Sequence, residues 1–203
     1  MGAKADDRWV RYYDAVAGRP PRDTLLRALS AIEAEGGPGP NALALDLGAG
    51  EGRDTVELLR RGYRVIAIDV EPRAFERLRA RADLVRPEAL ETIIGRFEDI
   101  DLPEADLINA SFSLPFCRAE RFAAFWPRLF AALKPGARFA GHLLGKRDDW
   151  AHDPDVTALD TEAVNGLLAG LSVEYLWEEE TDSATATGTP KHWHLFHVVA
   201  KKT

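Results

Sequence analysis

The stretch ALALDLGAGEGR at residues 42–53 decides the fold. Its first half is a short apolar run, which is typical of a buried strand, and glycines then stand at every second position. Glycine adopts backbone angles that a side chain forbids, and it lets the chain come close to a ligand. A helical pattern follows from residue 53. The stretch therefore predicts a strand, a glycine-rich turn and a helix, the unit that holds a nucleoside ligand in open α/β sheets.

The glycine spacing leaves two ligand classes open. Dinucleotide enzymes carry G-x-G-x-x-G at this place, but the third glycine of that pattern would fall at position 53, which is Arg53. Asp46 lies two residues before the first glycine, and its negative charge would repel a pyrophosphate and attract a cation. S-adenosylmethionine carries an ammonium and a sulfonium and no phosphate, so this pattern favours it over NAD. The alternative for Asp46 is a turn or capping role.

A second acidic residue ends the next apolar run. Residues 64–69 read RVIAID, as expected for a strand covered on both faces, and Asp69 comes nineteen residues after Gly50. A carboxylate at this place accepts hydrogen bonds from ribose hydroxyls in NAD sites and in S-adenosylmethionine sites alike. Asp69 therefore predicts an adenosyl ligand without choosing between them. Its alternative role is to cap the helix that Pro72 opens.

Strands and helices alternate along the rest of the chain. Apolar runs predict strands at 42–47, 64–69, 91–95, 105–110, 137–144, 172–179 and 191–200, and helical patterns occur at 21–35, 53–61, 72–82, 118–133 and 160–169. This order predicts an α/β fold, a Rossmann-like and mostly parallel seven-stranded sheet with helices on both faces and a C-terminal antiparallel β-hairpin. The ligand site of such a sheet lies at the carboxyl ends of its strands.

Length and composition fit one domain that spans residues 1–203. We divide it into an N-terminal helical extension (1–40), a cofactor-binding core (41–145) and a C-terminal helix with the hairpin (146–203). Lys and Arg total 26 against 33 Asp and Glu, a net charge of −7, which argues against nucleic acid as a partner. The single cysteine excludes an internal disulfide and a cysteine-rich zinc site.

The sequence also predicts where the protein acts. No apolar run approaches the roughly 20 residues that cross a bilayer, and the polar N-terminus MGAKADDRWV lacks the apolar core of a signal peptide. We therefore expect a cytoplasmic protein that acts on a small molecule and contacts no membrane. The oligomeric state stays open.

Two stretches resemble a known family. ALDLGAGEGRDTVELLRRGYRVIAIDVEP (44–72) looks like the nucleotide-binding half of class I S-adenosylmethionine-dependent methyltransferases, and LKPGARFAGHLLG (133–145) is similar to their fifth-strand region. The resemblance covers about residues 41–145. The compact size, GRDT at 52–55 and RGY at 61–63 also resemble the small tellurite-resistance-type methyltransferases. The family implies S-adenosyl-L-methionine as cofactor and S-adenosyl-L-homocysteine as product.

The resemblance implies roles for particular residues. Those at the cofactor would be Asp46, Gly48, Ala49 and Gly50 at the methionine end, Asp69 and Val70 at the ribose, Glu98 or Asp99 at the adenine, and Asn109 at the end of the fourth strand. Ser111 and Phe112 would follow Asn109 against the acceptor. Adenine-N6 and glutamine methyltransferases have Asn-Pro-Pro-aromatic there, whereas this chain has Ala110 and Ser111 in the middle, so we do not expect a clamp for a planar amide.

Candidates for the acceptor side lie in three other stretches. His142 falls at the carboxyl end of the strand at 137–144 and is the first candidate for a general base, the alternative being a structural hydrogen bond. PKHWHLFH (190–197) is expected to form an antiparallel strand. Such a strand would place His192 and Trp193 at the pocket and His197 away from it. His192 is then a second catalytic candidate, and Trp193 is a candidate substrate contact. The alternative is an aromatic strand packed under a helix. The His-x-His pair lacks a clear carboxylate partner, so no metal is expected.

The N-terminal stretch supplies the last candidates. Residues 9–14 predict a helix that covers the cofactor, with Tyr12 or Tyr13 facing the sulfonium through the ring quadrupole, the alternative being plain helix packing. Arg19 and Arg22 are candidates for binding an acceptor carboxylate.

These observations favour S-adenosylmethionine-dependent methyl transfer to an unidentified small molecule. Two alternatives keep the same ligand: an enzyme that cyclises or cleaves the cofactor, and a non-catalytic module that binds it. An NAD-dependent oxidoreductase remains the last alternative.

Overall fold

The computed structural model describes residues 3–203. The helices are α1 (Ala3–Val16), α2 (Asp23–Ala34), α3 (Arg53–Arg60), α4 (Pro72–Ala80), α5 (Ala119–Ala132) and α6 (Thr161–Leu167). The strands are β1 (Leu43–Leu47), β2 (Arg64–Asp69), β3 (Leu90–Ile94), β4 (Ala105–Ala110), β5 (Leu133–Gly145), β6 (Ala158–Leu159), β7 (Leu171–Ala184) and β8 (Pro190–Lys202).

The strands form one mixed sheet in the order β3-β2-β1-β4-β5-β8-β7. The first five strands of this order are parallel, and β8 runs antiparallel to both β5 and β7. The predicted fold class is therefore confirmed. The two-residue β6, which pairs with β5 at the edge of this path, is an eighth strand that the sequence analysis did not predict.

The strand order places a ligand crevice at β1. From this central strand the chain moves outward through β2 and β3 on one side, and through β4 and β5 on the other. Connections that leave a parallel sheet in opposite directions open a crevice at the carboxyl ends of the two strands where the order reverses. The glycine-rich loop lies at that place, because it follows β1 directly.

Helices cover both faces of the sheet. On one face, Leu25 and Leu29 of α2 and Leu58 and Leu59 of α3 are buried in one apolar cluster with side chains of the central strands. On the other face, α5 and α6 pack over the sheet through a second cluster that includes Phe125, Trp126, Leu129, Phe139 and Val164. We call these the α2/α3 face and the α5/α6 face.

One boundary differs clearly from the sequence analysis. Strand β5 begins at Leu133, four residues before the predicted start at 137, directly after helix α5 ends at Ala132. The hairpin strands β7 and β8 extend beyond the end of β5, because the β5–β8 pairing stops at Leu144 and Leu195. Within residues 3–203, no helix is both long and apolar enough to span a bilayer.

Candidate functional site

The glycine loop is packed tightly against three other elements. Gly48, Gly50 and Gly52 all have positive φ, at 71°, 55° and 82°. A Cβ at Gly48 would overlap Cβ of Ser113, and one at Gly52 would overlap the side chain of Leu78. A Cβ at Gly50 would lie 3.3 Å from the ring of Tyr13 in α1. Glycine is therefore required here by backbone conformation and by space alike.

The N–H groups of this loop donate to the protein itself. Gly48 and Ala49 both donate to the carbonyl of Ile68, at 2.8 and 3.0 Å, and Gly52 donates to the carbonyl of Ala49 at 3.1 Å. The N–H of Gly50 donates to Oδ2 of Asp69 at 2.8 Å. A phosphate-binding loop turns such N–H groups toward its anion. This loop directs four of them inward.

Asp69 links the end of β2 to the glycine loop. While Oδ2 accepts from Gly50, Oδ1 accepts from the N–H of Glu71 at 2.9 Å. The residue is 9% exposed, and burial raises the pKa of its carboxyl above the ordinary value. The side-chain cap of α4 is Glu71, which accepts from the N–H of Arg73. Each oxygen of Asp69 keeps a lone pair for a further donor such as a ribose hydroxyl.

Asp46 lies beneath the loop in a buried hydrogen-bond network. The hydroxyl of Thr55 donates to its Oδ2 at 2.6 Å, and the amide of Asn109 donates to its Oδ1 at 2.9 Å. The same amide nitrogen also donates to Asp54 at 3.1 Å, and the hydroxyl of Ser111 donates to the carbonyl oxygen of Asn109. Asp46 is 2% exposed, and burial and the charge of Asp54 raise its pKa. Its carboxylate therefore holds β1, α3 and β4 together instead of facing the loop directly, as the charge argument had assumed.

Residues after β2 and β3 form the side of the crevice expected to hold an adenine. Val70, directly after Asp69, exposes 47% of its surface, which is unusual for an apolar residue next to a buried carboxylate. The N–H of Gly95 donates to the carbonyl of Asp69 at 2.9 Å, so the turn after β3 lies beside it. In that turn Glu98 is buried and bonded to Arg96, whereas Asp99 is half exposed in an ion pair with Arg121.

Helix α1 lies against the loop through Tyr13, whereas its predicted contact with the cofactor stays a prediction. Tyr13 is 2% exposed, and burial and the nearby charges of Asp69 and Glu71 raise its pKa. Trp9 stacks on Tyr13 at 6.4 Å and meets Phe116 edge-on at 5.7 Å. Tyr12 is turned elsewhere, and its hydroxyl accepts from Arg22 at 3.5 Å.

Phe112 is the strained residue of the rim. Its φ is +56°, a left-handed conformation that costs a bulky residue about 1–3 kcal/mol and that tends to occur at functional sites. Its ring stacks on His142 with centroids 4.1 Å apart, and the guanidinium of Arg22 lies 4.3 Å from its centroid. Trp193 meets it edge-on at 6.4 Å.

His142 is the buried imidazole at this rim. It is 2% exposed, and its Nδ1 has no hydrogen-bond partner among the described residues. Burial lowers its pKa well below the ordinary value, with further lowering by His197 and by the positive charges of Arg22 and Arg53. His142 is therefore a neutral base at physiological pH.

Comparison with known proteins gives one family match and several structural matches. Residues 44–136 match the family described as "Methyltransferase domain". A carboxy-S-adenosyl-L-methionine synthase from Klebsiella pneumoniae (strain 342) is 31% identical over 102 residues, which cover 48% of this chain and 41% of that protein. The match thus spans less than half the length of that curated relative.

Solved structures show the same fold over nearly the whole chain. TehB from Haemophilus influenzae superposes with a TM-score of 0.74 at 14% identity, covering 98% of this chain and 67% of that one. The 1,6-didemethyltoxoflavin-N1-methyltransferase of Burkholderia thailandensis, solved with 1,6-didemethyltoxoflavin and S-adenosylhomocysteine, gives 0.65 at 22% identity, covering 97% and 86%. The chain is thus similar to a methyltransferase family over residues 44–136, and it shares its fold with these solved structures over nearly its whole length. The stretch 44–72, from which the resemblance was stated, lies inside the family match.

The two histidines predicted to be catalytic lie on opposite faces of the sheet. His142 pairs directly with His197 across β5 and β8, so these two side chains share the α2/α3 face and their rings are 4.8 Å apart. His192 lies five residues before His197 on β8. It is therefore on the α5/α6 face and about 17 Å from His197 at the usual strand rise. It is bonded to Asp182 at 2.7 Å and Glu180 at 3.2 Å. The structure therefore places His197, and not His192, beside His142, which is the reverse of the expected arrangement.

Trp193 lies near Phe112, and its predicted contact with the substrate stays a prediction. It shares the α2/α3 face of β8, reaches Phe112, and packs edge-on against Trp150 at 5.3 Å. No group of three or more His, Cys, Asp or Glu side chains suited to a metal ion occurs among the described residues.

Three residues that shape the rim of the crevice were not predicted from the sequence. Asp54 joins the network under the loop, Ser113 fills the space above Gly48, and Arg53 begins α3 at the loop. Arg53 and Asp54 lie in the GRDT motif, which could have pointed to them, but that motif was used only for the family resemblance. Ser113 follows Phe112 and carries no signal of its own.

Proposed function

We propose that this chain binds S-adenosylmethionine at the carboxyl ends of β1 and β2 and transfers its methyl group to a small molecule. The observation that carries this proposal is the direction of the loop N–H groups. Because Gly48, Ala49, Gly50 and Gly52 donate to protein acceptors, the loop offers little to a pyrophosphate. The carboxylate of Asp69 against Gly50 would in addition repel one.

The described residues fit the proposed cofactor. Asp69 offers acceptor oxygens for two ribose hydroxyls, and exposed Val70 offers an apolar surface beside it for the base. Asp46, Asp54 and Asp69 bring three carboxyl groups to the crevice, and because burial raises the pKa values of Asp46 and Asp69, a bound cation would favour their charged forms. When bound, S-adenosylmethionine supplies a methyl carbon that an acceptor atom attacks as the methyl–sulfur bond breaks, which leaves S-adenosylhomocysteine.

The chain's own residues align the acceptor and remove its proton. Phe112, held against His142 and Arg22, forms one wall next to the loop. His142 is uncharged at neutral pH and its Nδ1 has no partner among the described residues, so it can take a proton from the acceptor heteroatom as that atom is methylated. Alignment supplies most of the catalysis in a displacement of this kind.

Binding of the cofactor is tested by calorimetry with S-adenosylmethionine, S-adenosylhomocysteine and NAD. We expect the first two to bind and NAD to bind far more weakly. Asp69→Asn should weaken the adenosyl ligands more than tenfold, because a charged hydrogen bond contributes about 1.5–3 kcal/mol. Asp101→Asn, which removes an exposed carboxylate paired with Arg128, is the matched control. Tighter binding of NAD, or unchanged affinity in Asp69→Asn with its fold intact, would remove the assignment.

A second candidate is supported by one comparison. The relative from Klebsiella pneumoniae is named for making a carboxylated S-adenosylmethionine, so a reaction that alters the nucleoside itself is the alternative to methyl transfer. Mass spectrometry of the products separates the two, since methyl transfer yields S-adenosylhomocysteine. Binding without any product, over a broad pool of acceptors, would favour a non-catalytic module.

The same proposal includes the setting of the reaction. The net charge of −7 supports a small molecule and not a nucleic acid as acceptor. Cys117 is a free, buried thiol, which is compatible with the reducing cytoplasm that we propose as the location.

A further inference from the structure

Two arginines lie next to the rim, and among the described residues no carboxylate pairs with either guanidinium group. The guanidinium of Arg53 donates through Nε to the carbonyl of Pro20, and its Nη1 is buried with no hydrogen-bond partner among the described residues. The guanidinium of Arg22 lies over the ring of Phe112 and makes one long hydrogen bond, 3.5 Å, to the hydroxyl of Tyr12. We call Arg22, Arg53 and Tyr12 the cationic cluster.

The acid nearest in the sequence does not neutralise this cluster by hydrogen bonding. Oδ1 of Asp54 accepts from the backbone N–H of Arg22 at 2.9 Å, and its Oδ2 accepts from Asn109. The two guanidinium charges repel each other, and burial together with the charge of Arg22 lowers the pKa of Arg53. Burying an arginine nitrogen without a partner is unfavourable, so such a group calls for an explanation, and a bound anion is one that would satisfy it.

The cluster adjoins the place where an acceptor must sit. Arg53 follows the last glycine of the loop, and Phe112 precedes Ser113, whose side chain covers Gly48. The positive charges of Arg22 and Arg53 also act on His142, which stacks on the other side of Phe112. An anion at the cluster would therefore hold the rest of a small molecule beside Phe112 and His142.

We propose that the acceptor is an anionic small molecule whose carboxylate or phosphate is bound by Arg53 and Arg22, with the atom to be methylated directed toward His142. This inference rests on the proposed function and names the substrate class of that site. A guanidinium fork matches either oxyanion with paired hydrogen bonds. The neutral imidazole of His142 accepts the proton that the acceptor atom loses on methylation, while the arginines keep the anionic group bound.

The test uses the full chain saturated with S-adenosylhomocysteine, whose own binding is measured first. Benzoate and phenyl phosphate, the carboxylate and phosphate arms, and benzamide, an uncharged analogue of benzoate, are then titrated by calorimetry. We expect at least one of the two anions to bind. Benzamide should bind at least about tenfold more weakly than benzoate. Arg53→Gln and Arg22→Gln should each weaken the anion by about tenfold or more, while S-adenosylhomocysteine affinity changes less than about twofold.

Two variants sharpen the result. Arg60→Gln removes an exposed arginine at the other end of α3, paired with Glu57, and should change nothing. Arg53→Lys keeps the charge without the fork and should fall between wild type and Arg53→Gln. Equal affinity for benzoate and benzamide, anion binding unaffected by Arg53→Gln, or no anion binding up to about 10 mM overturns the inference. If S-adenosylhomocysteine itself fails to bind, the proposed function fails instead, and the anion titration without it still tests the cluster.

Discussion

Substituting Gly48 by alanine tests why the loop after β1 needs glycine. The residue has φ +71°, and a new Cβ would overlap Cβ of Ser113 while lying 3.2 Å from its Oγ and 3.6 Å from its Cα. Two of these three neighbours belong to the short stem of the serine or to backbone, so the neighbour cannot swing away. Ser113 is itself held by the left-handed Phe112 that precedes it.

The expected loss of stability has two parts. The left-handed conformation costs an alanine about 1–2 kcal/mol, and forcing atoms into a packed site costs about 1–3 kcal/mol more. Gly48→Ala should therefore lower the free energy of unfolding by roughly 2–5 kcal/mol, a large share of the total for one domain. Gly136→Ala is the matched control: its φ is +80°, but no atom lies within 4 Å of the added Cβ, so only the first part applies.

A double-mutant cycle separates the two parts. Ser113→Gly removes the atom that the new Cβ would overlap, so the coupling energy between Gly48→Ala and Ser113→Gly should be about 1–3 kcal/mol in favour of the double variant. Urea unfolding followed by tryptophan fluorescence and by circular dichroism gives all four values. A Gly48→Ala variant no less stable than Gly136→Ala, or a coupling energy near zero, would refute the steric argument.

Three further predictions concern titratable groups. His142→Gln should reduce turnover while leaving cofactor affinity unchanged. Because the pKa of His142 lies well below the ordinary value, the wild-type rate should stay level from pH 8 to pH 6. A decline in rate centred near the ordinary histidine pKa would argue against His142 as the base. His192→Ala, on the other face of the sheet, should leave turnover unchanged. Hydrogen bonds from Arg138 and then Lys201 lower the pKa of Glu35 to about 2, from an ordinary value of 4.5. A carboxyl whose pKa is lower in the folded protein than in the unfolded chain stabilises the fold at any pH above its unfolded pKa. This stabilisation is lost as the pH falls through the folded pKa. The difference in urea midpoint between wild type and Glu35→Gln should therefore be full at pH 7 and vanish between pH 4.5 and 2.

The parts of the fold that could be predicted from sequence are those with a strong local pattern. The apolar runs of β1 and β2 and the glycines between β1 and α3 are local signals, and the strand end fixes Asp69 at the crevice. The two-residue β6 has no pattern of its own, since it exists only because a long connection passes the end of β5.

The histidines of β8 show what a local pattern leaves open. Alternation correctly separates His192 from Trp193, but the choice of face depends on the register between β8 and β5. That register pairs His197 with His142 and places the tip of the hairpin beyond the end of β5. Register is set by long-range packing, which one strand's sequence does not contain.

Asp46 shows a similar limit for charge. The sequence reveals an acid two residues before the glycines, but not that Thr55 and Asn109 cover both of its oxygens. Its negative charge therefore acts on the crevice through the field of a buried carboxylate and not through contact. The direct contact is left to Asp69, which reaches the loop itself.

The charges of the two halves of the crevice divide the proposed reaction between them. Asp46, Asp54 and Asp69 lie under the half assigned to a cationic methyl donor, and Arg22 and Arg53 lie at the half assigned to an anionic acceptor, with neutral His142 beyond Phe112. Each reactant is thus attracted to its own half and repelled from the other. Methyl transfer removes the positive charge from sulfur, so the acidic half then holds the product less strongly than the donor. The same carboxylates that favour binding of the sulfonium therefore favour release after the reaction.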